Sequence, residues 1–135
     1  MREIKFRAWY KELQKIIIIQ HIDFIFETVI FVDIDNIDLA VAKFKDIELM
    51  QFTGLQDKNG VDIYEGDIVT YQYMFQDRKD TTEIIYDKMT NSFCAYYEDE
   101  GIKYTLEKEL KNQFEVIGNI YENPELLEVG RWYIG

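Results

Sequence analysis

The chain predicts a mainly β fold, of the β-rich α+β class, and three observations carry that prediction. Apolar and polar residues alternate in several short stretches, as they do in strands with one face buried. The apolar runs are short and rich in β-branched residues, and polar residues divide them. Turn signals recur between the runs, Asn59-Gly60 and Gly66 the strongest among them.

The elements follow in order. "EIKFRAW" puts Ile4, Phe6 and Ala8 on one face and Lys5, Arg7 and Trp9 on the other. "KIIII", "TVIFVDI" and "DLAVAKF" read as apolar, strand-like runs, although runs this short do not separate strand from helix across residues 21–45. "IELMQF" leads into the turn-rich stretch "TGLQDKNGVDIYEGDIV", and "DIVTYQYMF" leads out of it. "TEIIYD" and "SFCAYYED" flank "KMTN", which predicts a hairpin. "YTLEKELKN" has Leu106 and Leu110 four apart with charges between, which suits a short helix. "FEVIGNIY" returns to strand. "NPELLEV" opens a second short helix, with Asn123 as N-cap, Pro124 at the first position and Glu125 in the first turn. Nothing resembles a linker or a repeat, so one domain spanning residues 1–135 is expected.

Composition narrows the function classes. Ten Tyr, nine Phe and two Trp supply a core and argue against disorder. One cysteine, Cys94, excludes an intrachain disulfide. The first residues carry no secretion signal, and the longest apolar run is too short to span a bilayer, so a cytoplasmic protein with no membrane contact is expected. The net charge is −11. Residues 46–100 hold thirteen acidic and four basic side chains, so the excess sits mid-chain, where it disfavours phosphate backbones and makes nucleic acid an unfavoured partner.

Two chemistries could use a turn-rich stretch of this kind. As a calcium loop starting at Asp57 it has Val61, Asp62 and Ile68 where a ligand, a glycine and a glutamate are required. As a phosphate loop it has five residues between Gly54 and Gly60, and Val61 follows where lysine is required. Both fail. A structural turn built on Asn59, Gly60 and Gly66 accounts for every residue. Asp57, Asn59, Asp62, Tyr64, Glu65 and Asp67 are then either solvated turn residues or a contact patch.

Three stretches, "MREIKFRAW", "MQFTGLQDKNGVDIYEGDIV" and "FEVIGNIYENPELL", resemble in that order the signature blocks of the YopX family. Tyr10 departs from the pattern, which leads to an acidic residue there. The resemblance implies a phage or prophage origin in Gram-positive bacteria. It also implies a small SH3-like, partly open barrel element, since "YEGDIV" is similar to the turn-into-strand element of such barrels. It brings no established activity and so no catalytic residues.

The remaining residues give no reactive constellation. His21, Cys94 and Ser92 are each the only one of their kind; Cys94 reads as a small buried hydrophobe, and no nucleophile elbow surrounds Ser92. No enzyme, no metal and no cofactor is expected. The aromatics exceed what a core needs, and Trp9, Tyr96, Tyr97 and Trp132 are candidate interface residues. The expected function is a non-enzymatic protein-interaction module that self-associates as a homo-oligomer. Two alternatives stand beside it. One is a nucleic-acid-binding small β-barrel that uses Arg2, Lys5, Arg7, Lys11 and Lys15. The other is an acidic mimic of nucleic acid that blocks a DNA-binding protein.

Overall fold

The structure, a computed structural model, describes residues 2–33, 35, 37–72, 77, 79–97, 102–106 and 112–132; of residues 96, 97, 102–104 and 129–132 it describes the backbone alone. Among the described residues the fold is mainly β, with open antiparallel sheets, no closed barrel and one short α-helix. The chain divides into two compact units, Met1–Phe52 and Thr53–Gly135.

The first unit is a meander. β1 (Phe6–Tyr10), β2 (Lys15–Asp23), β3 (Thr28–Asp33) and β4 (Asp38–Lys43) follow one another, then a 3₁₀ turn at Phe44–Asp46 leads into β5 (Ile47–Gln56). β1 lies between β2 and β5, with Arg7 opposite both Ile18 and Met50, so the order is β4-β3-β2-β1-β5. Alternation decides what is buried. Ala8, Ile17, Val29, Phe31, Ala42 and Ile47 form the core, and Tyr10 packs edge-on against Phe31 with ring centroids 5.6 Å apart. Within the uncertain residues 21–45, the runs Thr28–Asp33 and Asp38–Lys43 are strand, because each finds a ladder partner, whereas Phe24-Ile25-Phe26 falls in a turn.

β5 continues past Phe52, and its last residues neighbour β6 (Asp62–Tyr64) in the second unit. There Thr53 Oγ1 donates to the Ile63 carbonyl at 2.7 Å. β7 (Asp67–Gln72), β8 (Lys79–Asp87), β9 (Ser92–Tyr97), β10 (Ile102–Thr105) and β11 (Phe114–Asn119) form a second sheet in the order β10-β9-β8-β7-β11. Its core is Ile63, Val69, Ile84, Ala95 and Phe114, with Tyr71 tilted against Phe114 at 5.0 Å. Cys94 is buried, as a small apolar residue would be. α1 (Glu125–Trp132) closes the unit, with Glu125 and Glu128 in its first turn, where the helix dipole favours negative charge.

Of the stretch read as a first short helix, Tyr104 and Thr105 instead pair with Ala95 and Cys94 in β10; residues 107–111 lie outside the described residues.

Four hairpins share one loop design. Residues 11–14, 24–27, 34–37 and 88–91 each join two strands, and each loop ends on a non-glycine residue with positive φ: Gln14, Glu27, Ile37 and Asn91, at 52–58°. In three of them the last strand residue is an aspartate that turns its carboxylate onto the loop. Asp23 accepts from the Ile25 and Phe26 amides, Asp33 from Asp35, and Asp87 from Met89 and the Thr90 hydroxyl. An aspartate side chain can take over the hydrogen bond that a tight turn otherwise leaves unmet.

Candidate interaction surface

The acidic residues of the turn-rich stretch separate into two groups. Asp57 is 0% exposed and Asp67 1%, and Tyr64 is buried beside them, so these three offer no surface to a partner. Asp57 is an internal acceptor. Its Oδ1 receives the Asn59 and Val61 amides at 2.8 and 2.9 Å, and its Oδ2 receives the Val116 amide at 2.9 Å. Asp67 Oδ2 receives the Tyr64 amide at 2.7 Å. Several N–H donors on an ionised acceptor are what makes a buried carboxylate tolerable. Asn59 is exposed, and Asp62 and Glu65 are half-buried, so only these of the six patch candidates reach solvent.

The turn itself differs in detail from the two-residue form that Asn59-Gly60 predicts. The Gly60 amide donates to the Asp57 carbonyl at 3.1 Å and the Asp57 amide to the Val61 carbonyl at 2.8 Å, so three residues, 58–60, form the loop. Only Gly60 has positive φ, at +80°, the pattern of a turn followed by a left-handed glycine. Gly66 lies at φ +87°, near the second central position of a type II turn, and its amide and carbonyl bond the Ile84 carbonyl and the Ile120 amide.

These turns lock the middle of the chain to residues 114–123. Besides the Asp57–Val116 bond, the Lys58 amide donates to the Phe114 carbonyl and Lys58 Nζ lies 2.7 Å from Glu115 Oε2. Asn119 then folds the next turn, its Oδ1 receiving the Tyr121 and Glu122 amides and its Nδ2 donating to Glu122. The Asn123 side chain accepts from the Asn119 amide at 3.2 Å. A Cβ on Gly118 would come within 2.5 Å of Asn123 Oδ1, which is why that position is glycine. The constellation that looked chemical is therefore structural.

The aromatic candidates divide similarly. Trp9 is half-buried on β1, opposite Ile16 and Glu48. Tyr96 and Tyr97 lie on β9 and Trp132 ends α1, with side chains outside the described residues. Four of the five nominated basic residues of the first unit, all but Arg2, meet groups of their own chain. Lys5 meets Glu3 and the Phe52 ring, Lys11 meets Glu48, Lys15 meets Asp33 and Asp35, and Arg7 Nη2 approaches Met50 Sδ.

The feature that sequence reasoning missed is the tip of the β2–β3 hairpin. Phe24, Ile25 and Phe26 are 75%, 87% and 78% exposed. They are displayed by an ordered turn: Asp23 Oδ1 holds the Ile25 and Phe26 amides at 2.9 and 3.0 Å, and the Phe44 amide binds the Glu27 carbonyl. Phe24 also stands edge-on to Phe44 at 6.1 Å. Beside the tip, His21, Ile22, Thr28 and Ile30 line an open concavity of about 540 Å³. The available signal was Asp23 and Glu27 bracketing three apolar residues, the same spacing that brackets "KMT" between Asp87 and Asn91.

Among the described residues, no group of three or more His, Cys, Asp or Glu is placed to hold a metal ion, and no helix is long and apolar enough to cross a membrane.

Comparison with known proteins adds a family. The profile described as YopX protein matches residues 5–128, which crosses both units. Among solved structures, protein EF1440 from Enterococcus faecalis is similar at 27% identity and a TM-score of 0.65, over 94% of this chain and 99% of that one. Protein yopX from Bacillus subtilis is similar at 19% identity and a TM-score of 0.64, again over 94% and 99%. No curated protein matches the chain.

Proposed function

The chain belongs to the YopX family, and from that premise we propose that it is a phage or prophage accessory protein that works by binding another protein, without catalysis. The contact surface is the Phe24-Ile25-Phe26 tip. One observation carries this reading: three adjacent large apolar side chains stand in solvent on a turn whose backbone is fixed by Asp23. Exposed apolar side chains in a contiguous group favour association, and aromatic residues held in place lose little freedom when a partner covers them. The adjoining concavity gives a partner side chain somewhere to enter. The nucleic-acid readings draw less support. Lys5, Arg7, Lys11 and Lys15 meet carboxylates, a carbonyl, a sulfur and a ring, and Asp57, Asp67, Asp80 and Asp87 of the acidic middle are buried.

A photo-crosslinking side chain at position 25 tests the proposal. In host lysate it is expected to capture a discrete species that the same group at exposed Gln20 does not capture, and Phe26→Asp is expected to abolish the adduct. Equal labelling from both positions would overturn it.

A further inference from the structure

We infer that the partner of the tip is a second copy of this chain, which covers the tip and the outer face of β2, β3 and β4 around a two-fold axis. The inference rests on the reading of the tip as a contact surface and names what covers it.

The outer face is apolar where a solvated face would be polar. An antiparallel sheet with one wet face alternates apolar and polar residues, and strands apolar at every position belong where both faces are covered. Ile16–Ile19 of β2, Val29–Val32 of β3 and Leu39–Ala42 of β4 are unbroken apolar runs. One half of each run builds the core, with Ile17, Val29, Phe31 and Ala42 buried. The other half faces out. Val32 lies opposite Leu39 and Ile30 opposite Val41, so these four share the face away from Phe31 and Ala42. Ile18, between core-facing Ile17 and Ile19, joins them. Charged residues stand only at the ends of these strands. An apolar centre within a polar rim is the anatomy of a protein interface.

Area sets the size of the partner's contact. Ile18, Leu39 and Val41 are 52%, 66% and 62% exposed. His21 and Ile30, paired across β2 and β3, line the concavity at the base of the tip and so join this face to Phe24, Ile25 and Phe26. At roughly 150–200 Å² for a fully exposed large apolar side chain, the three face residues and the three tip residues present on the order of 700 Å². That exceeds the roughly 300–600 Å² of the largest apolar patch on a typical monomer. It is close to the ~800 Å² that each partner gives to a stable interface of standard size.

Shape makes the partner a second copy. Phe24 and Ile25 line the concavity, and Phe26, the next residue, does not. Each copy therefore carries a projecting ring and a recess side by side. A two-fold axis between them seats each Phe26 in the other copy's recess, two identical contacts from one geometry. Such an interface uses the same patch on both copies, so the outer face beside the recess is buried with it. An unrelated partner would have to supply a recess and a projection at the same spacing, whereas a second copy has both.

Sedimentation of the purified full chain tests this. The wild type is expected at twice 16.2 kDa, at low and at high salt alike. Phe26→Asp at the recess and Leu39→Lys on the sheet face are each expected to raise the dissociation constant about tenfold or more, with an unchanged circular dichroism spectrum. Phe26→Leu, which stays apolar, is expected to keep the dimer. A photo-crosslinking side chain at position 25 should join two copies in the purified protein, with no lysate present. A monomeric wild type, or a dimer indifferent to either charged variant, would overturn the inference. A monomeric chain that captures a different protein through position 25 would overturn it too, while leaving the tip as a contact surface.

Discussion

Asp57 shows at the residue scale how a turn can look like a ligand site. A metal loop and a self-satisfied turn both need carboxylate oxygens directed inward, and they differ in what fills the interior. Here three backbone amides fill it, two local and one from β11. Asp57→Ala strands those donors in a buried place. It should cost about 3–4 kcal/mol in urea unfolding, the scale expected when charge-assisted bonds are lost and their partners left unmet. Asp57→Asn keeps one acceptor but turns an amide toward one of the donors, so an intermediate loss is expected. Ile37 predicts the opposite sign. A β-branched residue at φ 58° is strained, and its side chain is exposed, so little packing offsets the strain. Ile37→Asn should stabilise by about 1 kcal/mol, raising Tm by roughly 3–5 °C. Two further residues set an alkaline limit. Burial, then the Glu12 carboxylate that accepts its hydroxyl, hold Tyr10 above its ordinary 10.0. Its bond to Asp33 holds Lys15 above 10.5, with desolvation working against it. Both shifts favour the protonated form in the folded state. Their contribution is complete below the unfolded values and is lost as pH rises through the folded ones. The urea midpoint should therefore fall above about pH 10, and less steeply in Tyr10→Phe.

At the scale of elements, the chain builds four hairpins from one loop length while using one proline and seven glycines in all. Aspartate takes over the work that serine, proline and glycine often do. This explains both what could be read in the sequence and what could not. Strand positions were readable because alternation is a local property, and nearly every alternating stretch found a partner on the expected face. The "KMTN" hairpin was readable for the same reason. The fate of the acids was not. A buried Asp that caps a turn and a solvated Asp at a loop tip occupy the same sequence context, and only the distant Val116 amide distinguishes Asp57. The Phe24-Ile25-Phe26 tip failed from the opposite side, since an apolar run carries no mark of facing outward. The turn after β11 offers a direct test of element-level coupling. Gly118→Ala places a methyl carbon against the Oδ1, Cγ and Cβ of Asn123, so the side chain cannot simply swing aside. We expect a loss of about 2 kcal/mol, and a double-mutant cycle with Asn123→Ala should recover part of it, because the two residues compete for one space.

Across the whole molecule, the acidic surplus and the exposed apolar tip belong to different units. Residues of the first unit sum to −2 and those of the second to −9, together the −11 of the chain. A protein that worked through its acidic surplus would use the second unit and respond to salt. The exposed apolar tip belongs to the first unit, and some of the second unit's carboxylates are consumed by its own turns. Salt therefore separates the readings. An apolar contact loses little when ions are added, whereas attraction between exposed charges is screened within about 3 Å at 1 M salt. Capture of the tip's partner should persist from low to high salt and vanish with Ile25→Asp. Capture that decays with salt and ignores Ile25→Asp would instead place function on the acidic surface, and would raise the nucleic-acid mimic above the protein-interaction reading. The two outcomes move in opposite directions under the same pair of perturbations, so one titration of wild type and variant decides between them.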